Sequence, residues 1–213
     1  MSSLLIENFT KHYGDSLALT ITRWELHAGI YWVRGGNGSG KTTLFRALGG
    51  LHPCEGTVRF NDGVELHIHP VEFRKRVNYS EAEPLFPAFL TPKELIRFIG
   101  WSKNATPGQQ DYYTRFFGVK DFFEKPCGQL SSGMLKKVSL TLAFLGEPQL
   151  IILDEPLITL DDESRELLLQ AIQETLKERN VMFLTSSHQE MDAQQFNFNQ
   201  VVRLNNKTLE YVG

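Results

Sequence analysis

Residues 35–42 read Gly-Gly-Asn-Gly-Ser-Gly-Lys-Thr. The run fits the phosphate-loop pattern GxxxxGK[ST] at every fixed position, and each fixed residue has a physical reason. Backbone N–H groups can wrap a polyphosphate closely only where no Cβ intervenes, which is why Gly35, Gly36, Gly38 and Gly40 recur around Asn37 and Ser39. A helix starting at the end of the loop turns unpaired N–H groups and the positive end of its dipole toward the same anion. Upstream, Ile30 to Arg34 reads as a short strand opened by Gly29. Downstream, Thr42 to Leu48 reads as a helix that stops at Gly49-Gly50. Strand, loop and helix come in the order such a site requires; a glycine-rich turn without function gives no reason for that order. Lys41 is positioned to reach terminal phosphates, the Thr42 hydroxyl to coordinate Mg²⁺, and Thr43 to lie beside them.

A phosphate-cleaving site also needs an acid at the tip of a buried strand. Leu150-Ile151-Ile152-Leu153-Asp154-Glu155-Pro156 supplies one. Four apolar residues in a row mark a strand covered on both faces of a parallel sheet. Asp154 is the candidate Mg²⁺ ligand, through water, and Glu155 the candidate general base for an attacking water. The alternative, a surface turn with two solvated acids, leaves the apolar lead-in unexplained.

The rest of the chain fits an α/β protein. Residues 3–9 and 17–26 read as strands around a turn at Gly14-Asp15, and residues 56–60 and 64–69 as a hairpin around Asn61-Asp62-Gly63. From Thr91 to about Phe123 apolar residues recur at helical spacing, with Thr91 as N-cap, Pro92 at the first helical position and Glu94 completing a capping box. Residues 162–178 read as an amphipathic helix, Val181 to Thr185 as a second buried strand, and Val201 to Val212 as a hairpin around Asn205-Asn206. No repeat or low-complexity tract appears.

Composition narrows the function classes. The 213 residues carry a formal net charge of -3, so no broad basic field argues for nucleic acid. No apolar run approaches the roughly eighteen residues of a membrane span, and the N-terminus lacks a signal-peptide pattern. Cys54 and Cys127 lack metal-ligand spacing and read as unpaired thiols in a reducing compartment; a disulfide stays open.

A second candidate anion site lies at residues 129–140, QLSSGMLKKVSL. Ser131-Ser132-Gly133 opens a helical stretch containing Lys136 and Lys137. That is anion-binding geometry, or an ordinary serine-capped helix. In order with the loop, the helical insert, Asp154-Glu155 and a lone histidine after an apolar strand, it makes nearly the whole chain resemble the nucleotide-binding subunit of ABC transporters. The resemblance implies a P-loop NTPase fold of ABC ATPase type: a mostly parallel core sheet, an N-terminal antiparallel β subdomain and a helical subdomain inserted at about 84–140, in a single domain. It implies ATP and Mg²⁺ as ligands. Two subunits, homodimer or heterodimer, would pack head to tail so that Ser131 and Gly133 of one close over the nucleotide held by the other. That answers why one chain carries two anion sites.

The same resemblance places Tyr13 as the ring stacking on adenine, against a strand-end core tyrosine. It places Asp161 in the loop that couples the two sites, against a plain helix cap or as both, and His188 as the sensor of the γ-phosphate. The histidines at 67 and 69 alternate in a predicted strand and read as solvated. Three positions depart from the pattern. Ser132 and Met134 replace a glycine and a glutamine of the signature. Ala82 stands where a glutamine contacts Mg²⁺ and water; either Glu81 or Glu83 substitutes, or the site works without that group. A separate transmembrane permease is expected as partner, docked near Phe86, Phe89 and the helical insert, unless those phenylalanines fill the insert's core. The chain's end soon after the final hairpin leans toward an exporter. The expected location is cytoplasmic, peripheral on the membrane, with no nucleic acid. A soluble ABC-type ATPase not coupled to transport and a nucleotide switch with little turnover are the alternatives.

Overall fold

The structure, a computed structural model, describes residues 2–187 and 197–212. In chain order its elements are β1 (Ser3–Tyr13), β2 (Ser16–His27), β3 (Gly29–Arg34), α1 (Lys41–Leu48), β4 (Glu55–Phe60), α2 (Pro70–Lys75), β5 (Val77–Ser80), α3 (Pro92–Ser102), α4 (Pro107–Phe116), α5 (Ser132–Ala143), β6 (Leu150–Leu153), α6 (Asp162–Glu178), β7 (Met182–Ser186), β8 (Gln200–Asn205) and β9 (Thr208–Val212).

The strands form one nine-stranded sheet in the order β4-β1-β2-β9-β8-β3-β7-β6-β5. Its half from β8 to β5 is parallel at every step, and β1 pairs antiparallel with both β2 and β4. The fold is thus α/β with a parallel core and an antiparallel N-terminal β region, as expected. The two halves join through a single Thr20↔Thr208 register pair between β2 and β9.

Side-chain alternation explains why the central strands read as continuous apolar runs. In β3, Tyr31 and Val33 face a core shared with α1 and the β1–β2 region, while Ile30 and Trp32 face a second core under α3, α5 and α6. β6 divides the same way, Leu150 and Ile152 to one core, Ile151 and Leu153 to the other.

The Thr91 capping box forms: Thr91 N donates to Glu94 Oε2 at 2.8 Å, and Glu94 N donates to Thr91 Oγ1 at 3.3 Å. The final hairpin turns at Asn206 and Lys207, both with positive φ (46° and 64°), as a tight two-residue turn demands. Cys54 and Cys127 are both free.

The predicted strand over 64–69 is a correction. Phe60 and Leu66 donate hairpin-like bonds to Val64 and Val58 carbonyls, but only an isolated bridge between Arg59 and Glu65 results. His69 N then bonds back to the Glu65 carbonyl and Pro70 opens α2. The alternation Val64, Leu66, Ile68 is misleading at its last member, since Ile68 is exposed. His67 and His69 lie on a turn in solvent, not in a strand.

Candidate active site

The parallel strands β3, β7 and β6 lie side by side, so their C-terminal ends share one edge of the sheet. That edge is where ligands sit in sheets of this kind. β3 delivers the loop at 35–42, β6 delivers Asp154, and β7, between them, delivers Ser186.

In the loop, Gly38 and Gly40 have φ of 75° and 103°, a region closed to most side chains. Gly40 precedes α1 without any side-chain cap, leaving the helix N–H groups to the loop's concave face. A Cβ on Gly36 or Gly38 would meet no protein atom within 4 Å. Gly35 is constrained differently: a Cβ there would sit 2.3 Å from Ser39 Oγ. Lys41 is buried, and its Nζ donates to the carbonyls of Gly35 (2.7 Å) and Gly36 (3.2 Å). Burial pulls its pKa below the ordinary lysine value, partly opposed by the nearby carboxylates of Glu155 and Asp154.

Asp154 is 0% exposed and is held by three hydroxyls. Thr42 (2.8 Å) and Tyr79 (3.2 Å) donate to Oδ2, and Ser186 donates to Oδ1 at 2.6 Å. Such charge-assisted bonds compensate a carboxylate taken out of water. The Ser186 oxygen also accepts from Glu155 N–H at 3.0 Å. Glu155 itself has φ of 45°, in the left-handed region, where a non-glycine residue costs about 1–2 kcal/mol. The chain therefore turns sharply as it leaves β6.

Tyr13 ends β1 with its ring 51% exposed. Its hydroxyl lies 3.4 Å from Thr43 Oγ1 and 3.3 Å from His52 Nδ1, and the Lys11 ammonium sits over the ring at 4.7 Å. The strand end is thereby set beside the first turn of α1.

The second cluster is built from α5 and the turn at 158–161. Ser131 caps α5, accepting from Met134 N–H at 3.2 Å. Asp161 caps α6, accepting from Ser164 N–H at 2.8 Å, and pairs with Lys137 at 3.3 Å. The hydrogen bonds from Ser164 and the Lys137 ammonium hold the Asp161 carboxyl at about 2. A Cβ on Gly133 would come within 2.8 Å of the Thr159 carbonyl, so glycine there allows the two turns to touch. Ser131, Gly133 and Asp161 find these partners within α5 and residues 159–164, not in the 35–43 loop.

The family model described as ABC transporter matches residues 19–158. The chain belongs to the ABC transporter family. The ABC transporter ATP-binding protein YxlF of Bacillus subtilis (strain 168), described as uncharacterized, is 32% identical over 216 residues, covering 99% of this chain and 70% of that one. The Nod factor export ATP-binding protein I of Burkholderia lata is 29% identical over 189 residues, covering 86% of this chain and 62% of that one. The chain thus spans about three fifths of the length of that relative. A dimeric ATP-binding cassette solved in a post-hydrolysis state with ADP and Pi superposes with a TM-score of 0.81 at 20% identity, covering 99% of each chain.

Within the ABC ATPase frame, Lys136, Lys137 and the 81–82 loop have partners that the sequence did not show, and one residue falls outside view. Lys136 turns inward from α5. It is fully buried, and its Nζ donates to backbone carbonyls. Lys137, the other lysine of that helix, is taken by Asp161. Ala82 contributes a carbonyl and no polar side chain, and the carboxylate of Glu81 faces Arg46 at 3.8 Å. His188 lies outside the described residues. Two residues carrying Asp154, Tyr79 and Ser186, belong to no motif. The only trace of Ser186 in sequence is a polar residue at the end of an apolar strand, and its use depends on β7 lying next to β6.

Proposed function

We propose that the chain is the ATP-binding and ATP-hydrolysing subunit of a membrane transporter, with two subunits enclosing two ATP molecules. One observation carries this reading: Thr42 Oγ1 meets Asp154 Oδ2 at 2.8 Å, bringing together two motifs 112 residues apart. Hydroxyl and carboxylate oxygens at that spacing suit Mg²⁺, a hard cation that takes one or two protein oxygens and completes its shell with water and phosphate. Mg²⁺ held there by Thr42 and, through water, Asp154 would neutralise charge on the phosphates.

The chain's own residues do the remainder. The loop amides and the N-terminus of α1 bind the phosphates, and Lys41 exchanges the Gly35 and Gly36 carbonyls for phosphate oxygens. Glu155 accepts a proton from a water whose oxygen bonds to the γ-phosphorus. The bond to the β–γ bridging oxygen breaks, and ADP keeps its electron pair. Tyr13 offers a half-open ring to the base. Ser131 and Gly133, with the Asp161 turn packed on them, close over the nucleotide of a second subunit, with His188 as γ-phosphate sensor. Residues 84–140 act as the helical subdomain.

The permease partner is assigned to a groove of about 730 Å³ between the α2–β5 region and α3, lined by Leu51, Val71, Leu85, Phe86, Ile99 and Trp101. Of the lining residues Leu85 (88% exposed) and Trp101 (78%) stand out in solvent, as does Phe89 (79%), a few residues beyond Leu85 along the chain. Phe86 both lines the groove and packs against the second core, so it serves the docking and the core-filling readings alike. Among the described residues no helix is long and apolar enough to cross a membrane, which fits a pathway supplied by that partner at the cytoplasmic face.

Specific phosphate release falls on dilution if two subunits are needed. Constant specific activity in a monomer too dilute to pair would sink the paired arrangement. ATP binding without phosphate release would favour a nucleotide switch, the reading that Ala82 supports.

A further inference from the structure

Lys136 is a charged side chain with no exposed surface, in the second turn of α5. Its Nζ donates to the carbonyls of Glu81 at 2.6 Å, Asp154 at 3.0 Å and Ala82 at 3.3 Å. An ammonium has three N–H donors and no acceptor, so three carbonyls use it completely. They belong to two separate segments. Residues 81–82 lead from the edge strand β5 into the helical block. Residue 154 ends β6 and carries the carboxylate held by Thr42.

Lys136 is the last rung of a polar ladder between α5 and β5. Asn78 Nδ2 donates to the carbonyls of Ala143 and Leu145, each at 2.8 Å. Ser80 Oγ and Ser139 Oγ are 2.9 Å apart. Positions 136, 139 and 143 share one helix face. The ladder binds α5 along its length to β5, and its Lys136 end alone reaches across to β6. Alanine at 82 has no polar side chain, and its carbonyl accepts from Lys136.

Stability gives a poor reason for a lysine here. Taking an ammonium out of water is costly, and an apolar side chain of similar volume is commonly as stable or more so. The carboxylates of Asp154, Glu155 and Glu81 lie close enough to offset part of that cost. What the lysine supplies, and a methionine would not, is a fixed spacing among three segments.

We propose that Lys136 is a positioning residue for hydrolysis: it ties the place of α5, whose N-terminus starts at Ser131, to the place of the Asp154–Glu155 turn and the 81–82 loop. This rests on the reading of the chain as an ATPase. A displacement at the Ser131 end of α5 is thereby passed to the acid-bearing strand end without any side chain from residue 82.

The test uses the full chain with Lys136→Met and Lys136→Arg, read by phosphate release against ATP concentration, by thermal unfolding and by amide hydrogen exchange. In Lys136→Met, kcat falls about tenfold or more while KM changes less than about threefold, the pattern of a group that acts on the chemical step. Exchange rises in residues 81–86 and 155–160 and stays unchanged in β6. Lys136→Arg, which keeps the donors, recovers a substantial part of kcat. Wild-type kcat in Lys136→Met overturns the proposal. So does unchanged exchange in 81–86, or a loss of kcat that follows only the loss of folded protein in both variants. Should Lys136→Met not fold, Lys136→Gln, with two donors on a shorter side chain, is read the same way. Absence of phosphate release from wild type removes the ATPase reading instead, and the exchange data still judge the tether.

Discussion

The Ser186 hydroxyl donates to Asp154 Oδ1 at 2.6 Å and in the same position accepts from the N–H of Glu155 at 3.0 Å. One buried oxygen on β7 therefore fixes both acidic residues at the end of β6. Replacing Ser186 with Ala leaves a buried carboxylate oxygen short of a donor and removes one acceptor from the half-buried Glu155 N–H. The cost is about 1–3 kcal/mol of stability. Denaturant midpoints measure it, and phosphate release falls with it; a variant as stable and as active as wild type would show that Ser186 is dispensable.

Glu155→Gln keeps the shape of the turn and removes the carboxylate proposed as the base. Phosphate release drops by roughly 10²–10⁴-fold while ATP binding, read with a fluorescent nucleotide, is retained. Equal rates in variant and wild type remove Glu155 from the role of base.

Trp101 lines the groove, and Phe89 follows the lining residues Leu85 and Phe86 along the chain; both stand in solvent and neither is among the residues of the two hydrophobic cores. If the proposed permease docks here, Phe89→Asp and Trp101→Asp abolish co-purification with it and leave stability within about 0.5 kcal/mol of wild type, as surface changes usually do. Basal phosphate release is unchanged. Retained co-purification places the docking surface elsewhere.

Lys103, also at the groove, donates to the carbonyls of Arg74 and Val77. Burial, with a contribution from Arg74, pushes its pKa down to about 8 from 10.5. Folded-state protons leave Lys103 first, so between about pH 8 and 10.5 the unfolded chain binds more protons at this residue. Below that window the folded state carries the cost of a buried charge, and stability from this group rises as pH rises through it. Unfolding free energies at pH 7.5 and 9.5 then diverge more in wild type than in Lys103→Met. An identical pH slope in the two proteins refutes the assignment.

Local chemistry was legible where neighbours in sequence are neighbours in space. The glycines at 38 and 40, the Thr91–Glu94 box and the caps at Ser131 and Asp161 all depend on residues within about four positions of each other. The apolar run at 150–153 announced a strand covered on both faces. The alternation at 64–69 misled because a period of two over so few residues does not say whether a partner strand continues beside it.

What the residues determined by themselves was the set of parts: a phosphate loop, an acidic strand end, a small-residue helix start and the family to which their order belongs. What tertiary structure alone decided was who holds whom. Strand order put β6 between β7 and β5 and so made Ser186 and Tyr79 partners of Asp154. The packing of α5 on β5 turned Lys136 inward, onto three carbonyls. A side chain's chemistry is carried by its own atoms, but its partners are set by which distant strands the hydrophobic core brings to its side, and no short window of sequence contains that information.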